Sequence, residues 1–512
     1  MRAFLMHPDR DFDLRHLPAN EADLGKDLEL DVLLQAMGGG DQFLHAVARC
    51  GIHSCLPSPA EIVYRQHVLA DCIARPGVIR DLYQVGVAAV AGEKKLFGWL
   101  FVHNSPDSIL RRAREAMELF VGALRRLKDI ADAHAASFHS EGFTRFFSML
   151  AAELDDDYFA DMQAHLSELA FRQGMLISAS LGQGSKGVGH VLRRQQPGPG
   201  WRGRLAGKNR SGYSFVVPPQ DENGLRALAD LEGLGLNDTA NALAQSVDHI
   251  RSFFQMLCAE LGFYIGCLNL QERMTAAGAP LCFPVPASPV PDNAAPAGSA
   301  QALRARGLYD PCLVATLRTP AVGNDLDADG TELIMITGAN QGGKSTFLRG
   351  LGLAQLMMQA GMFVAAEEFT ATPCTRVYTH YKREEDATMQ KGKLEEELAR
   401  MSDIADQITA GSLLLCNESF ASTNEREGSE IARQVIRALT EAGIRIAFVT
   451  HLYDLAERCH AEHAGTALFL RAERQPDGRR TFRLLAGEPL PSSYGQDLYQ
   501  QVFGTAYETS PA

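Results

Sequence analysis

Lys344 and Ser345 close a run, Gly338-Ala339-Asn340-Gln341-Gly342-Gly343-Lys344-Ser345-Thr346, whose spacing is G-x-x-x-x-G-K-[ST]. The chemistry served by this pattern is the holding of a nucleotide's phosphates. Glycines let backbone N–H groups approach phosphate oxygens, the lysine reaches the β- and γ-phosphates, and the hydroxyl is offered to Mg²⁺. The flanks suit that role. Leu333-Ile334-Met335-Ile336 reads as a buried strand, and Phe347, Leu348, Leu351, Gln355 and Met358 continue at helical spacing. Strand, glycine loop and helix N-terminus in that order aim backbone amides and the positive helix end at one place. A chance match on a glycine-rich turn would lack this context, so Gly338 to Thr346 are candidate nucleotide ligands.

Hydrolysis needs more. Gly411 to Cys416 reads as a second buried strand, followed by Asn417-Glu418-Ser419. An oxygen donor at such a strand end can hold Mg²⁺ together with Ser345, and a carboxylate beside it can polarise the attacking water. The donor here is Asn417, an amide that coordinates without charge, and Glu418 is the candidate base. A third strand, Ile444 to Val449, ends in Thr450-His451, in the crevice where α/β sheets bind ligands. His451 is the candidate phosphate sensor. A solvated loop carboxylate and a satisfied surface histidine are the plain alternatives.

A different chemistry is suggested between Gly182 and Gln220. Lys186, Arg193, Arg194, Arg202, Arg204, Lys208 and Arg210 are basic, no acid occurs, and Trp201 and Tyr213 are interleaved. The chain carries a net charge of −13, so its total implies no general affinity for nucleic acid, and any such contact must be local. This stretch is the candidate for DNA phosphates, with an aromatic ring free to stack on a base. A flexible solvated loop explains the same charges.

The elements that must position these residues follow from pattern. A chain of 512 residues holds two or more domains. Residues 20–175 read as helical: Asp27 to Met37, stopped by Gly38-Gly39-Gly40; a helix from Ile62 closed near Arg75-Pro76; Leu110 to Ala136; and Phe143 to Gly174. Asp155-Asp156-Asp157 reads as a solvated helix edge rather than a metal site. From Asp238 to Arg273 an apolar stripe at three- and four-residue steps predicts one helix roughly 50 Å long. Six prolines between 280 and 296 predict a stiff linker. Gly392 to Ile408 and a helix through Ile431, Val435 and Leu439, stopped by Gly443, alternate with the strands, which predicts a parallel or mixed sheet with helices on both faces. Ten cysteines without C-x-x-C spacing favour reduced thiols and a cytoplasmic setting over a disulfide framework or zinc site. The early charges at Arg2, Asp9 and Arg10 disfavour a signal peptide, and no run supplies ~18 apolar residues for a membrane span.

Gly338 to Ser345, Asn417-Glu418, Ser422-Thr423-Asn424-Glu425, Thr450-His451, Ser493-Tyr494-Gly495 and Val322-Gly323-Asn324-Asp325 together resemble the ATPase domain of the MutS family, the DNA mismatch-repair ATPases. The resemblance is strong over about the last 200 residues. It implies a multidomain protein: an α-helical core and lever domain, then a C-terminal α/β P-loop domain of ABC type. The implied layout is a helical core at 1–175, a short basic clamp-like segment and lever helix at 176–278, a Pro/Ala-rich linker at 279–301 and the ATPase at 302–512. It further implies ATP and Mg²⁺ as ligands, Asn324 on the nucleotide, a homodimer with composite sites, and duplex DNA as partner. Three positions depart from the family pattern. Asn417 replaces an acid, the serine-bearing stretch aligns with serine-free Gln390-Lys391-Gly392-Lys393, and the adenine-stacking aromatic becomes Ala321. The mismatch-reading domain finds no room before residue 20. These departures imply slow hydrolysis, and keep open a nucleotide-switched interaction protein acting on a protein or ribonucleoprotein partner.

Overall fold

The computed structural model describes residues 1–15, 17–97, 105–172, 174–194, 213–288, 301–383, 392–463 and 465–490. In chain order the helices of the first part are α1 (Glu21–Asp27), α2 (Leu30–Gly38), α3 (Gln42–Ile52), α4 (Pro59–Ala74), α5 (Pro76–Phe97), α6 (Pro106–His134), α7 (Glu141–Glu153) and α8 (Asp156–Glu168). A hairpin, β1 (Leu176–Leu181) and β2 (Gly187–Arg193), and the long α9 (Glu222–Ala276) follow. The remainder runs β3 (Val285–Pro286), β4 (Leu303–Leu308), α10 (Pro311–Leu317), β5 (Asn324–Asp327), β6 (Leu333–Gly338), α11 (Lys344–Gln359), β7 (Glu368–Ala371), β8 (Val377–Tyr381), α12 (Lys393–Gln407), β9 (Leu413–Asn417), α13 (Glu425–Glu441), β10 (Arg445–Val449), α14 (Tyr453–Glu462), β11 (Ala467–Arg474) and β12 (Arg480–Ala486).

Two compact units result. One comprises residues 1–3, 77–139 and 143–258. Its interior is aromatic: Phe120 stacks on Phe254 at 5.5 Å, and Phe138, Phe143 and Phe147 meet with centroids 4.6–5.6 Å apart. A second small core joins Leu110, Leu236 and Ala240, with Leu192 of the hairpin packed against it. Gly235 makes this possible. A Cβ there would lie 2.6 Å from Ile177 Cδ1, so the Ile177 side chain packs directly on the bare backbone of α9 at Gly235.

The other unit comprises residues 4–76, 140–142 and 259–512. Its main sheet, among the described residues, has the order β12-β11-β6-β10-β9-β8, parallel except for the antiparallel edge strand β12. β6, β8, β9 and β10 are buried almost throughout, as their continuous apolar runs require. A smaller sheet has the order β3-β7-β4-β5. α11 lies deep in the interior, where Gln355 donates to Gln359 Oε1 and Thr372 O, and Gln359 to Leu56 O and Cys374 O. These buried amides are all satisfied, so they fix the helix that begins at Lys344.

Several expectations shift. Asp27 to Met37 is two helices, parted at Leu28-Glu29, where Glu29 takes a left-handed φ of +52°. Phe143 to Gly174 is also two, because Asp155 caps the second and accepts from Tyr158 N at 2.7 Å. The acidic triplet is the solvated start of α8, all three aspartates being exposed. α9 begins sixteen residues before Asp238. Its first turns expose Leu225, Leu228, Leu231 and Leu234, so they bear no one-faced burial pattern to read. Residues 285–286 within the expected linker form β3, paired with β7. Residues 4–76 belong to the same compact unit as the C-terminal sheet: Asn20 donates to Val377 O, Leu56 N to Gln359 O, and Arg383 pairs with Asp23. All ten cysteines are free thiols. Among the described residues α9 alone is long and apolar enough to cross a membrane, and 83% of its most apolar window is buried inside the protein.

Candidate functional site

β6 ends at Gly338, where φ is +105° and a Cβ would strike Ala472 N at 2.8 Å. Gly343, at φ +88°, turns the chain into α11. Both positions need glycine, which explains their place in the sequence pattern. Lys344 is buried and lays its Nζ on Gly338 O at 3.0 Å and Ala339 O at 2.9 Å. Burial pulls its pKa down to about 8, against the upward pull of Glu418 and with Arg480 adding to the fall.

Ser345 Oγ donates to Asn417 Oδ1 at 2.9 Å. The parallel sheet produces this meeting: β10 lies between β6 and β9, and the carboxyl ends of all three open on the glycine loop. Two uncharged oxygens side by side suit a hard cation, and Asn417 contributes no compensating charge. Glu418 follows with φ +55°, its backbone N–H bonded to Val449 O. Its Oε1 lies 3.1 Å from His451 Nε2. The hydrogen bond from His451 holds the Glu418 carboxyl below the usual range although burial opposes it. The expected base and the expected sensor therefore touch one another.

Beside the loop is a cavity of about 490 Å³ bordered by Leu317, Pro320, Ala321 and Val322 on one side and by Gln341, Gly343 and Thr346 on the other. Phe482 of β12, half exposed and at φ +61°, closes it, packed over Gly343. Phe482 carries no sequence signal linking it to the loop 140 residues earlier, and sequence reasoning misses it for that reason. Arg480 escapes likewise; its Nε donates to Asn340 O at 3.2 Å. Asn324 stands on the cavity wall, but its amide is engaged elsewhere. Nδ2 donates to Phe482 O at 3.2 Å and Oδ1 accepts from Leu484 N at 2.7 Å. As placed, Asn324 fixes β12 and thereby Phe482.

Two family models match, in order along the chain: the MutS2 N-terminal domain over residues 58–277 and MutS domain V over residues 334–502. The chain belongs to the MutS family. Its relatives include the DNA mismatch repair protein MutS of Chloroflexus aurantiacus, 34% identical over 158 residues, which are 30% of this chain and 16% of that protein. The endonuclease MutS2 of Thermus thermophilus is 31% identical over 157 residues, 31% of this chain and 21% of the relative. The DNA mismatch repair protein Msh6 of Gallus gallus is 33% identical over 271 residues, 50% of this chain and 20% of the relative. The matched stretch thus spans about a fifth of these curated relatives.

In this MutS-family chain the basic stretch is partly an ordered hairpin. Lys186 precedes β2 and is exposed. Arg193, at the end of β2, donates to Ser178 Oγ at 2.8 Å, and Arg194 is paired with Glu168. Tyr213 is fully exposed. Arg202, Arg204, Lys208, Arg210 and Trp201 lie outside the described residues, as do Ser493-Tyr494-Gly495 and Gln390-Lys391.

Proposed function

We propose that this MutS-family chain is an ATPase whose nucleotide cycle acts on duplex DNA, in mismatch repair or in a recombination-related reaction. The observation that carries the reading is the convergence of Lys344, Ser345, Asn417, Glu418 and His451 at one end of the parallel sheet. In this reading backbone amides from Ala339 to Thr346 receive the phosphates, Lys344 neutralises them, and the cavity under Phe482 takes the base in place of the aromatic lost at Ala321. Ser345 and Asn417 would hold Mg²⁺, which supplies neutralisation of the phosphate oxygens when bound. Glu418, kept ionised by His451, accepts the proton of the attacking water, while His451 senses the γ-phosphate. Asn417 brings no negative charge, so turnover is slow. Each site is completed by a second copy of the chain, with Ser422 to Glu425 near that interface. α9, a single helix shared by both compact units, transmits the nucleotide state to the hairpin, where Lys186, Arg193 and Arg194 meet DNA phosphates together with Arg202, Arg204, Lys208 and Arg210.

The relatives named for DNA mismatch repair support the partner and the process. Steady-state ATP turnover, with and without homoduplex, mismatched and branched DNA, tests the reading. DNA-stimulated turnover that E418Q abolishes is the expected result. No turnover in either protein would leave a nucleotide-switched interaction protein in its place.

A further inference from the structure

Glu418 does not stand on an ordinary turn. Glu418 and Phe420 both hold left-handed backbone, at φ +55° and +62°, in residues whose side chains make it sterically costly. Such a turn persists only where its surroundings over-determine it, and here a buried polar cluster surrounds it. Ser419 and His380 are each 0% exposed. Ser419 Oγ lies 2.7 Å from His380 Nδ1, and the His380 ring stacks on Phe420 at 5.4 Å. His380 Nε2 lies 3.0 Å from the backbone oxygen of Glu397 in α12. Burial drops the His380 pKa to about 4. The Ser419 hydroxyl also donates to the backbone oxygen of His380 at 2.7 Å, so Ser419 is held against both the ring and the main chain of that residue.

The Glu397 side chain closes the circuit. It is 2% exposed, and its Oε1 accepts from Ser422 Oγ at 3.0 Å, on the far side of the same turn. One helical turn later Arg400 donates to Tyr381 O at 3.0 Å and faces Asp27 at 3.8 Å, which fixes α12 against β8 and α1. Both ends of the strained turn, Ser419 and Ser422, are thus tied to one anchored residue of α12, through its backbone and through its carboxylate.

We propose that His380 and Glu397 are positioning residues for Glu418: they hold the turn from Glu418 to Ser422 so that the carboxylate stays against His451 at the mouth of the glycine loop. This rests on Glu418 as the water-polarising group. A carboxylate displaced by about an ångström loses much of its catalytic effect while leaving substrate binding alone.

The test compares the 512-residue chain with E397A, E397Q and H380F, the last keeping the stacked ring while removing both nitrogens. Expected for E397A and H380F is a kcat about tenfold or more below wild type, with the ATP dissociation constant within about threefold. E397Q, which keeps an oxygen for Ser422, recovers most of the turnover. In nucleotide-free protein, amide hydrogen exchange across residues 415–424 accelerates in E397A and H380F while residues 338–350 keep their protection. Unchanged kcat in E397A and H380F beside an active wild type overturns the positioning role alone. Unchanged exchange across the turn, or exchange accelerated equally in both regions, also overturns it, the latter by showing a merely structural role. A wild-type chain without turnover overturns the ATPase assignment as well, and the exchange data then tell whether the turn is held by this cluster at all.

Discussion

Ser345 and Asn417, 72 residues apart in the chain, meet through a hydrogen bond of 2.9 Å from the serine hydroxyl to the asparagine side-chain oxygen. The contact spans the first turn of α11 and the end of β9, and it leaves two uncharged oxygens side by side. Oxygen donors without charge bind a divalent cation more weakly than a carboxylate does. Asn417→Asp is therefore expected to lower the Mg²⁺ concentration for half-maximal turnover by about tenfold or more. A titration in which the two proteins share one midpoint would remove Asn417 from the metal.

Lys344 predicts a proton linkage. Burial holds its pKa near 8 in the nucleotide-free chain, so at pH 8 to 9 much of it is neutral. A triphosphate favours the charged ammonium, so binding takes up protons in that window and weakens as the pH rises through it. Calorimetry at pH 8.5 in two buffers of different ionisation enthalpy reads the uptake directly. Equal heats in both, with flat affinity from pH 7 to 9.5, would contradict it.

Glu260 of α9 is fully buried, and its Oε2 accepts from Leu5 N. Burial raises its pKa from 4.5 to about 7, outweighing the backbone hydrogen bonds that favour its charge. A carboxyl with a raised folded-state pKa stabilises fully below its unfolded value, and that contribution fades as the pH climbs from 4.5 through 7. E260Q keeps an acceptor for Leu5 and cannot ionise. Its melting temperature should exceed wild type by at least about 2 °C at pH 8, and the gap should close near pH 4.5. A gap independent of pH would mean that Glu260 is not the titrating group.

The hairpin arginines predict a salt signature. Removing one cation that neutralises a phosphate should reduce the slope of log affinity against log salt by about 0.9 for duplex DNA. R193A combined with R194A is expected to flatten the slope and to weaken all duplexes alike. A changed sequence preference at constant slope would point to base recognition instead.

Much of this is legible in the sequence. Glycines at 338 and 343, a lysine and serine behind them, and apolar runs before 338, 417 and 450 determine a strand, a glycine turn and a helix, because these interactions are local and repeat with the period of the element. The MutS family resemblance rests on the same residues, and the two family models agree with it. Local pattern does less well at element breaks. Asp155 is the surface acid it reads as, but only the backbone geometry shows it capping α8, and the leucines at three-residue steps from Leu225 to Leu234 that open α9 are exposed.

What tertiary structure alone decided are the meetings between distant residues. Asn324 turns its amide to β12 and places Phe482 over the glycine loop; His451 grips Glu418; His380 and Glu397 enclose the turn that carries it. Residues 4–76 fall in the same compact unit as the C-terminal sheet. None of these leaves a periodic trace, because strand order and helix docking set them: the order β11-β6-β10-β9-β8 brings together side chains that the sequence scatters across about 150 positions.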